Sequence, residues 1–456
     1  MFMSHTHIEE NIIQKVLQSD NPKVKVAVTD IDGILRGKYI HKDKFSSAAK
    51  NGFGFCSVIF GWDSADVCYD NCDYSGWHNG YPDSDAYIDL NTYRNVPWDN
   101  NISFFLADFK GKSNEGLFAC PRTLLRNINQ QATDLGYEAM FGQEFEWFNF
   151  RENPESLHQK NYINAQPLTP GMFGYSLIRI AQNQDFFNEV YDLLAKFDVP
   201  LEGLHTETGP GVLEAAILYG NIIDAADRAI LFKTGIKEIA QKHNIMPTFM
   251  AKVCETLPGC SGHIHQSLWQ AGENIFYDGS DKNNMSQIMK HYLAGQLHCL
   301  PEILPMYAPT INSYKRLVEG MWAPTTVNWG VDNRTVCARV LPALEKATRI
   351  ELRVPGSDTN PYLAMSAALA SGLYGIKNKL ELTQPQITGN GYEDKNGVKL
   401  SPTLIDAAQK MQCSEIAQEL FGADFVNHFT KTREWEWREH LKAVTDWEKK
   451  RYFEII

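Results

Sequence analysis

Glu144 and Glu146 stand two residues apart in GQEFEWFNF, positions 142–150. The alternating, aromatic pattern predicts a buried strand, whose i and i+2 side chains share a face, so both carboxylates point the same way. Like charges that close disfavour each other's ionisation, and a cation is expected between them. Further segments have the same character. LEGLHTETGPGVLEAAI carries Glu202, Glu207 and Glu214, with a Gly-Pro-Gly loop able to fold the last two back towards each other. SGHIHQSLW puts His263 and His265 on one strand face, and TRIELRVPG sets Arg349, Glu351 and Arg353 at alternate positions. NSYKRLVEG and DNRTVCARV add Arg316, Arg334 and Arg339. Singly, each has an ordinary explanation as a solvated charge, a structural ion pair or a satisfied core histidine. Together, carboxylates with an imidazole make a hard, oxygen-rich site suited to Mg²⁺ or Mn²⁺ rather than zinc. Guanidinium groups grip phosphates and carboxylates through paired hydrogen bonds, and divalent metals with arginines imply phosphoryl transfer.

These side chains need a scaffold. At 456 residues the chain is long enough for two domains. No apolar run approaches the ~20 residues of a membrane helix, and the N-terminal MFMSHTHIEENIIQ has no basic segment followed by a hydrophobic core. A soluble, non-secreted protein without a membrane partner is expected. Nine cysteines without a C-x-x-C pair suit reduced thiols in a cytoplasm. A net charge of −12 gives no sign of nucleic-acid binding.

HIEENIIQKVLQ, positions 7–18, spaces Ile8, Ile12, Val16 and Leu17 as a helix that ends before Asn21-Pro22. KVKVAVTDIDGILRGKYI reads as two strands joined at Asp32-Gly33. The same letters resemble the D-x-D-G motif of haloacid dehalogenases, but no later acidic pair follows a glycine, which favours the hairpin. From Phe53 to Phe109 short β-rich runs predict a small mixed sheet with long loops. CPRTLLRNINQQATDLG predicts a helix, and KGKSNEG before it marks a boundary between residues 1–116 and 117–456. Its G-K-S is not a phosphate loop, because the required earlier glycine is replaced by Leu106. The final REWEWREHLKAVTDWEKKRYFEII reads as a packed terminal helix.

Seven segments, GQEFEWF, HTETGPGVLE, FMAKVCETLPGCSGHIHQSL, NSYKRLV, DNRTVCAR, RIELRVPGSDTNPYLAMSAALASGL and VTDWEKKRYF, resemble in order and spacing the motifs of the glutamine synthetase superfamily. The resemblance implies an α+β protein: an N-terminal β-grasp domain, and a larger catalytic domain whose curved antiparallel sheet forms a funnel-shaped active site. It also implies homo-oligomers of stacked hexameric rings, each site completed by a neighbour's N-terminal domain. Carried over by position, Glu146, Glu207 and Glu214 hold one Mg²⁺ or Mn²⁺, and Glu144, His263 and Glu351 a second. His265, Ser267, Arg339 and Arg349 contact ATP, with Glu202 near the nucleoside. Arg316, Arg334 and Arg353 bind the glutamate carboxylates and the transferring phosphoryl group. The reaction implied is attack of the glutamate γ-carboxylate on ATP, then displacement of phosphate by an amine.

The resemblance breaks where the acceptor binds. Ammonia-using members carry a flap glutamate in a Y-E-A-P sequence, and here NSYKRLVEGMWAPTT places Trp322 there. Trp cannot accept a proton, but it forms an apolar, cation-attracting wall for a substituted amine. The family's ammonium-binding aspartate lies in D-G-S-S, matched only by Asp63 of FGWDSADV. The glutamate-gripping asparagine of N-G-S-G is missing from GCSGHIH, and no N-L-Y-D-L-P adenylylation loop is present. A γ-glutamylamide synthetase is therefore expected ahead of glutamine synthetase proper. A non-catalytic structural homologue ranks last, because five clustered glutamates without metal would only repel.

Overall fold

A computed structural model describes residues 5–111 and 116–456, with side chains from residue 9 onward. The expected boundary stretch and the G-K-S within it fall largely outside the described residues, as does the side chain of Ile8. The first helix runs His5–Leu17, close to the expected span, with Val16 fully buried.

Six strands follow: β1 (Lys23–Thr29), β2 (Leu35–His41), β3 (Phe53–Cys56), β4 (Asp83–Ile88), β5 (Arg94–Val96) and β6 (Ile102–Phe109). They form one sheet in the order β2-β1-β6-β4-β3, with β5 also on β6. The Asp32-Gly33 hairpin is present, with Thr29 opposite Leu35 and Gly33 at φ 78°. The amides of Asp32 and Ile34 donate to Asp30 Oδ1 inside the turn. β1 runs parallel to β6, so this small sheet is mixed, as its sequence predicts.

The second sheet is built from β7 (Glu138–Phe150), β8 (Leu201–Thr206), β9 (Val212–Ile217), β10 (Gly262–Gln270), β11 (Trp329–Val331), β12 (Ala338–Leu341) and β13 (Arg349–Leu352). Their order is β11-β12-β13-β10-β7-β9-β8, antiparallel except between β11 and β12. Helices Pro121–Asp134, Ile222–Lys242, Gln287–Ile303 and Pro361–Lys377 share one continuous core with this sheet. The last is apolar on every side and almost wholly buried, as a helix surrounded by others must be.

Charged contacts join the two sheets' surroundings. Arg122, buried at the start of its helix, donates to Asp89 (2.8 Å), Asp108 (2.9 Å) and Asp227 (2.7 Å), and Tyr362 Oη donates to Asp227 (2.7 Å). Helix Ala423–His440 grips the N-terminal unit from the other side: Arg433 binds Asp32, Lys431 and Asn427 bind Asp73, and Trp435 Nε1 donates to Asp63 Oδ2. The packed terminal helix expected from the sequence ends at His440. A separate helix, Asp446–Tyr452, buries no residue, and Trp447, Phe453, Ile455 and Ile456 are exposed. Its Trp and charge density suggested packing, but the break at 441–445 turns those side chains to the surface.

His428 lies buried in that gripping helix, its Nδ1 3.6 Å from Cys72 Sγ. Burial, with Arg433 next, pushes its imidazole down to about 4. The unfolded chain therefore binds this proton near pH 6.5 while the folded chain does not, so the stabilisation is complete above that pH and is lost towards pH 4. His428→Phe should lose about 2 kcal/mol less stability than the parent protein between pH 7 and 5. Urea titrations at both pH values measure this, and parallel losses would refute it.

Candidate active site

Strand register assembles the site. Residues opposite one another across adjacent strands share a face. Glu144 of β7 faces His263 of β10, and Glu146 faces Glu214 of β9. His265 of β10 faces Glu351 of β13, which in turn faces Arg339 of β12. The Gly209-Pro210-Gly211 turn between β8 and β9 returns the chain so that Glu207 N–H donates to Val212 O at 3.0 Å, bringing Glu207 beside Glu214 as the sequence predicted. All these carboxylates and both histidines line one funnel of about 570 Å³.

Glu351 Oε1 lies 3.2 Å from His263 Nδ1 and takes a hydrogen bond from Arg353, while its Oε2 accepts from Arg339 at 2.9 Å. Burial opposes its ionisation, but His263, Arg353, His265 and Arg339 together hold it at about 2. Glu144 also sits well below the usual carboxylate range: burial works against it, and hydrogen bonds to His263 and His265 outweigh that. Glu214 goes the other way, up to about 8, through burial and the nearby Glu144 and Glu146, although His205 at 3.3 Å opposes the rise. At this end of the funnel, burial and neighbouring carboxylates thus oppose the ionisation of Glu214.

The donor set of the funnel, carboxylates with imidazole, suits a divalent cation. Glu144, His265 and Glu351 offer ligand atoms all within 4.8 Å of one another, the one such triad among the described residues. His263 Nδ1 adds a further donor, 3.3 Å from Glu144 Oε1. Glu207 Oε2 is buried with no hydrogen-bond partner. Glu146 Oε2 accepts from the Ser261 amide at 2.6 Å, so Glu146, Glu207 and Glu214 line the wall without closing into an equally tight group.

Four of the five predicted nucleotide residues, Glu202, His265, Ser267 and Arg349, line a neighbouring cavity of about 340 Å³ with backbone of β7 and the loop at Lys346, and His265 and Arg349 border the funnel as well. Arg334, Arg339, Arg353 and Trp322 line the funnel instead. Two predicted residues are not brought to either cavity. Arg316 is buried behind β13, where Nη1 and Nη2 donate to the carbonyls of Val354 and Arg353. Asp63 Oδ1 accepts from the amides of Ala65 and Val67, and Oδ2 from Trp435, so within this chain its carboxylate holds a turn.

Sequence reasoning missed Tyr175 and Thr208 in the funnel and Lys346 at the nucleotide cavity. Tyr175 stacks on His205 at 4.4 Å, is 71% exposed and has φ 55°. It lies in an irregular loop without periodicity, and only its left-handed backbone distinguishes it. Trp322, 57% exposed, shares that backbone region at φ 61°.

A curved sheet carrying carboxylates and histidines, arginines at its rim and a nucleotide-sized cavity alongside defines an ATP-dependent carbon–nitrogen ligase. Comparison with known proteins agrees. The catalytic-domain model of glutamine synthetase matches residues 118–452, and the chain belongs to the glutamine synthetase family. It is 52% identical to a type-1 glutamine synthetase of Dictyostelium discoideum, covering 98% of this chain and 87% of that protein. A glutamate–isopropylamine ligase from Pseudomonas is 37% identical, covering 95% of both chains. A γ-glutamylethanolamide synthetase of Streptomyces coelicolor is 35% identical, covering 98% of this chain and 95% of that one. The solved complex of GmaS with ADP superposes with a TM-score of 0.85 at 25% identity, over 97% of this chain and 99% of that one. The family uses ATP and divalent metals, and no described helix of this chain is long and apolar enough to cross a membrane.

Proposed function

We propose that this enzyme joins the γ-carboxylate of glutamate to an organic amine, with γ-glutamyl phosphate as the intermediate. The observation that carries this is Trp322, an indole at the funnel where ammonia-using members place a carboxylate. The acceptors in two relatives' names, isopropylamine and ethanolamine, support it. Residues 1–116 form the N-terminal unit and 117–456 the catalytic one, arranged in stacked hexameric rings in the cytoplasm.

Glu146, Glu207 and Glu214, and Glu144, Glu351 and either histidine, would hold Mg²⁺ or Mn²⁺, which would supply charge neutralisation as one anion attacks another. Arg339 and Arg349 orient the ATP phosphates, with Glu202 and Ser267 at the nucleoside side. Arg334 and Arg353 hold the glutamate carboxylates and the moving phosphoryl group, while Arg316 fixes the backbone on which Arg353 stands. Trp322 and Tyr175 enclose the acceptor with aromatic faces, which favour an alkylammonium over a hydrated ammonium. Asp63, whose carboxylate is held by Ala65, Val67 and Trp435, would reach a neighbour's site only after its turn opens.

A second reading, glutamine synthesis from ammonia, is favoured by the 52% identical relative. Phosphate release with Mg²⁺, ATP and glutamate across ammonium, methylamine, isopropylamine, ethanolamine, putrescine and aniline, with mass detection of the product, separates the two. A preferred organic amine is expected, whereas preference for ammonium would establish the second reading. Trp322→Glu should shift the ammonia-to-amine ratio of kcat/KM about a hundredfold towards ammonia. An unchanged ratio would remove Trp322 from acceptor choice.

A further inference from the structure

Outside the funnel, one crevice carries an unmade hydrogen bond. It lies between the N-terminal unit and helix Ala423–His440, has a volume of about 570 Å³, and shares no lining residue with the funnel. Asp73, Tyr74, Asp83, Phe118, Asp424 and His428 line it. His428 is 4% exposed, and its Nε2 is buried without a partner. With the Nδ1 proton directed to Cys72, Nε2 presents a lone pair, and leaving a buried polar atom unsatisfied is destabilising.

The surroundings select what supplies the missing donor. Tyr74 and Phe118 stand edge-on to the imidazole, with ring centres 6.4 and 5.9 Å away, and edge-on to each other at 5.5 Å. Asp83 and Asp424 are exposed and take part in no ion pair among the described residues. Asp73 is held in place by Lys431 and by Asn427 at 3.1 Å. Carboxylates repel an anion. A bare divalent ion needs converging ligand atoms, and the one triad of that kind among the described residues is in the funnel. Aromatic edges and faces, carboxylates and a neutral nitrogen acceptor together suit an N–H-bearing organic cation.

We propose that this crevice binds a small aliphatic ammonium ion, whose N–H donates to His428 Nε2 and whose charge faces Asp83 and Asp424. The volume falls in the range of small-molecule sites, roughly 300–1,000 Å³. The ligand touches both the N-terminal unit and the helix that grips it, so occupancy strengthens their contact. The proposal does not depend on which acceptor the funnel takes.

Putrescine titrated calorimetrically into the full-length protein, without ATP, metal or glutamate, tests it. The parent protein should bind, and the double variant Asp83→Asn/Asp424→Asn, altered only at exposed positions, should bind about tenfold more weakly. His428→Phe should weaken binding too, and both losses should persist in a Trp322→Ala background, which removes the aromatic wall of the funnel. No binding to the parent, equal affinity in the double variant, or disappearance of these losses in the Trp322→Ala background would each overturn the proposal.

Discussion

Glu351→Gln should lower phosphate release about a thousandfold, whichever amine is supplied. The substitution keeps the shape of the side chain but removes the one carboxylate that touches His263, Arg339 and Arg353 together. In the parent protein those groups lower the pKa of Glu351 to about 2, which favours the anion at neutral pH. A neutral amide leaves the cation ligand set one charge short and lets Arg339 and Arg353 repel each other. Thermal melting with and without Mg²⁺ is the companion measurement, because ligand binding to the folded state alone raises the melting temperature. The Mg²⁺-dependent rise should shrink in the variant. Turnover within tenfold of the parent would show that the funnel's cation is held elsewhere.

Arg122→Ala should be the most destabilising single change away from the funnel, costing about 3–5 kcal/mol. Three carboxylates converge on this guanidinium, and Asp227 is itself buried beneath Tyr362. Burial works against the charge on Arg122, yet Asp108 and Asp227 raise its pKa well above the ordinary arginine value. Truncation would leave Asp227 buried with Tyr362 as its remaining hydrogen-bond partner and no cation. Because Asp89 and Asp108 belong to the N-terminal unit and Asp227 to a helix of the larger one, the loss should appear at their junction. Hydrogen exchange of the β6 amides, followed alongside the melting curve, would report it. An unshifted melting temperature would mean that Arg126, which also reaches Asp89 and Asp108, takes over.

The site was legible where chemistry and periodicity coincide. A strand's two-residue repeat is visible in the letters, so Glu144 with Glu146, His263 with His265, and Arg349 with Glu351 could be placed on common faces before any register was known. The Asp32-Gly33 turn and the helix opening at Pro121 were legible for the same reason, since local backbone chemistry determines them. Tyr175 was not, because its loop has no repeat and its role depends on where His205 lies. Arg316 and Asp63 lie outside both cavities of the single chain for a related reason: a side chain's type says what it can bind, and its neighbours decide what it contacts. The same holds for the final helix, Asp446–Tyr452, whose Trp447 promised a core that the described residues do not supply. His265 entered as a nucleotide contact, yet the atoms of the tight triad include it, because its partner across the strands is Glu351.

The pairing of Glu144 with His263 and of Glu146 with Glu214 limits how such a protein can diverge. One residue gained or lost within β7 between those positions would turn one glutamate of the pair to the opposite side of the sheet. Descendants can therefore exchange letters along β7, β9 and β10, but lengthening is confined to the connections. The segments at Trp322 and Tyr175 are such connections, so under the proposed acceptor role of these residues new acceptors can be acquired there by insertion as readily as by substitution.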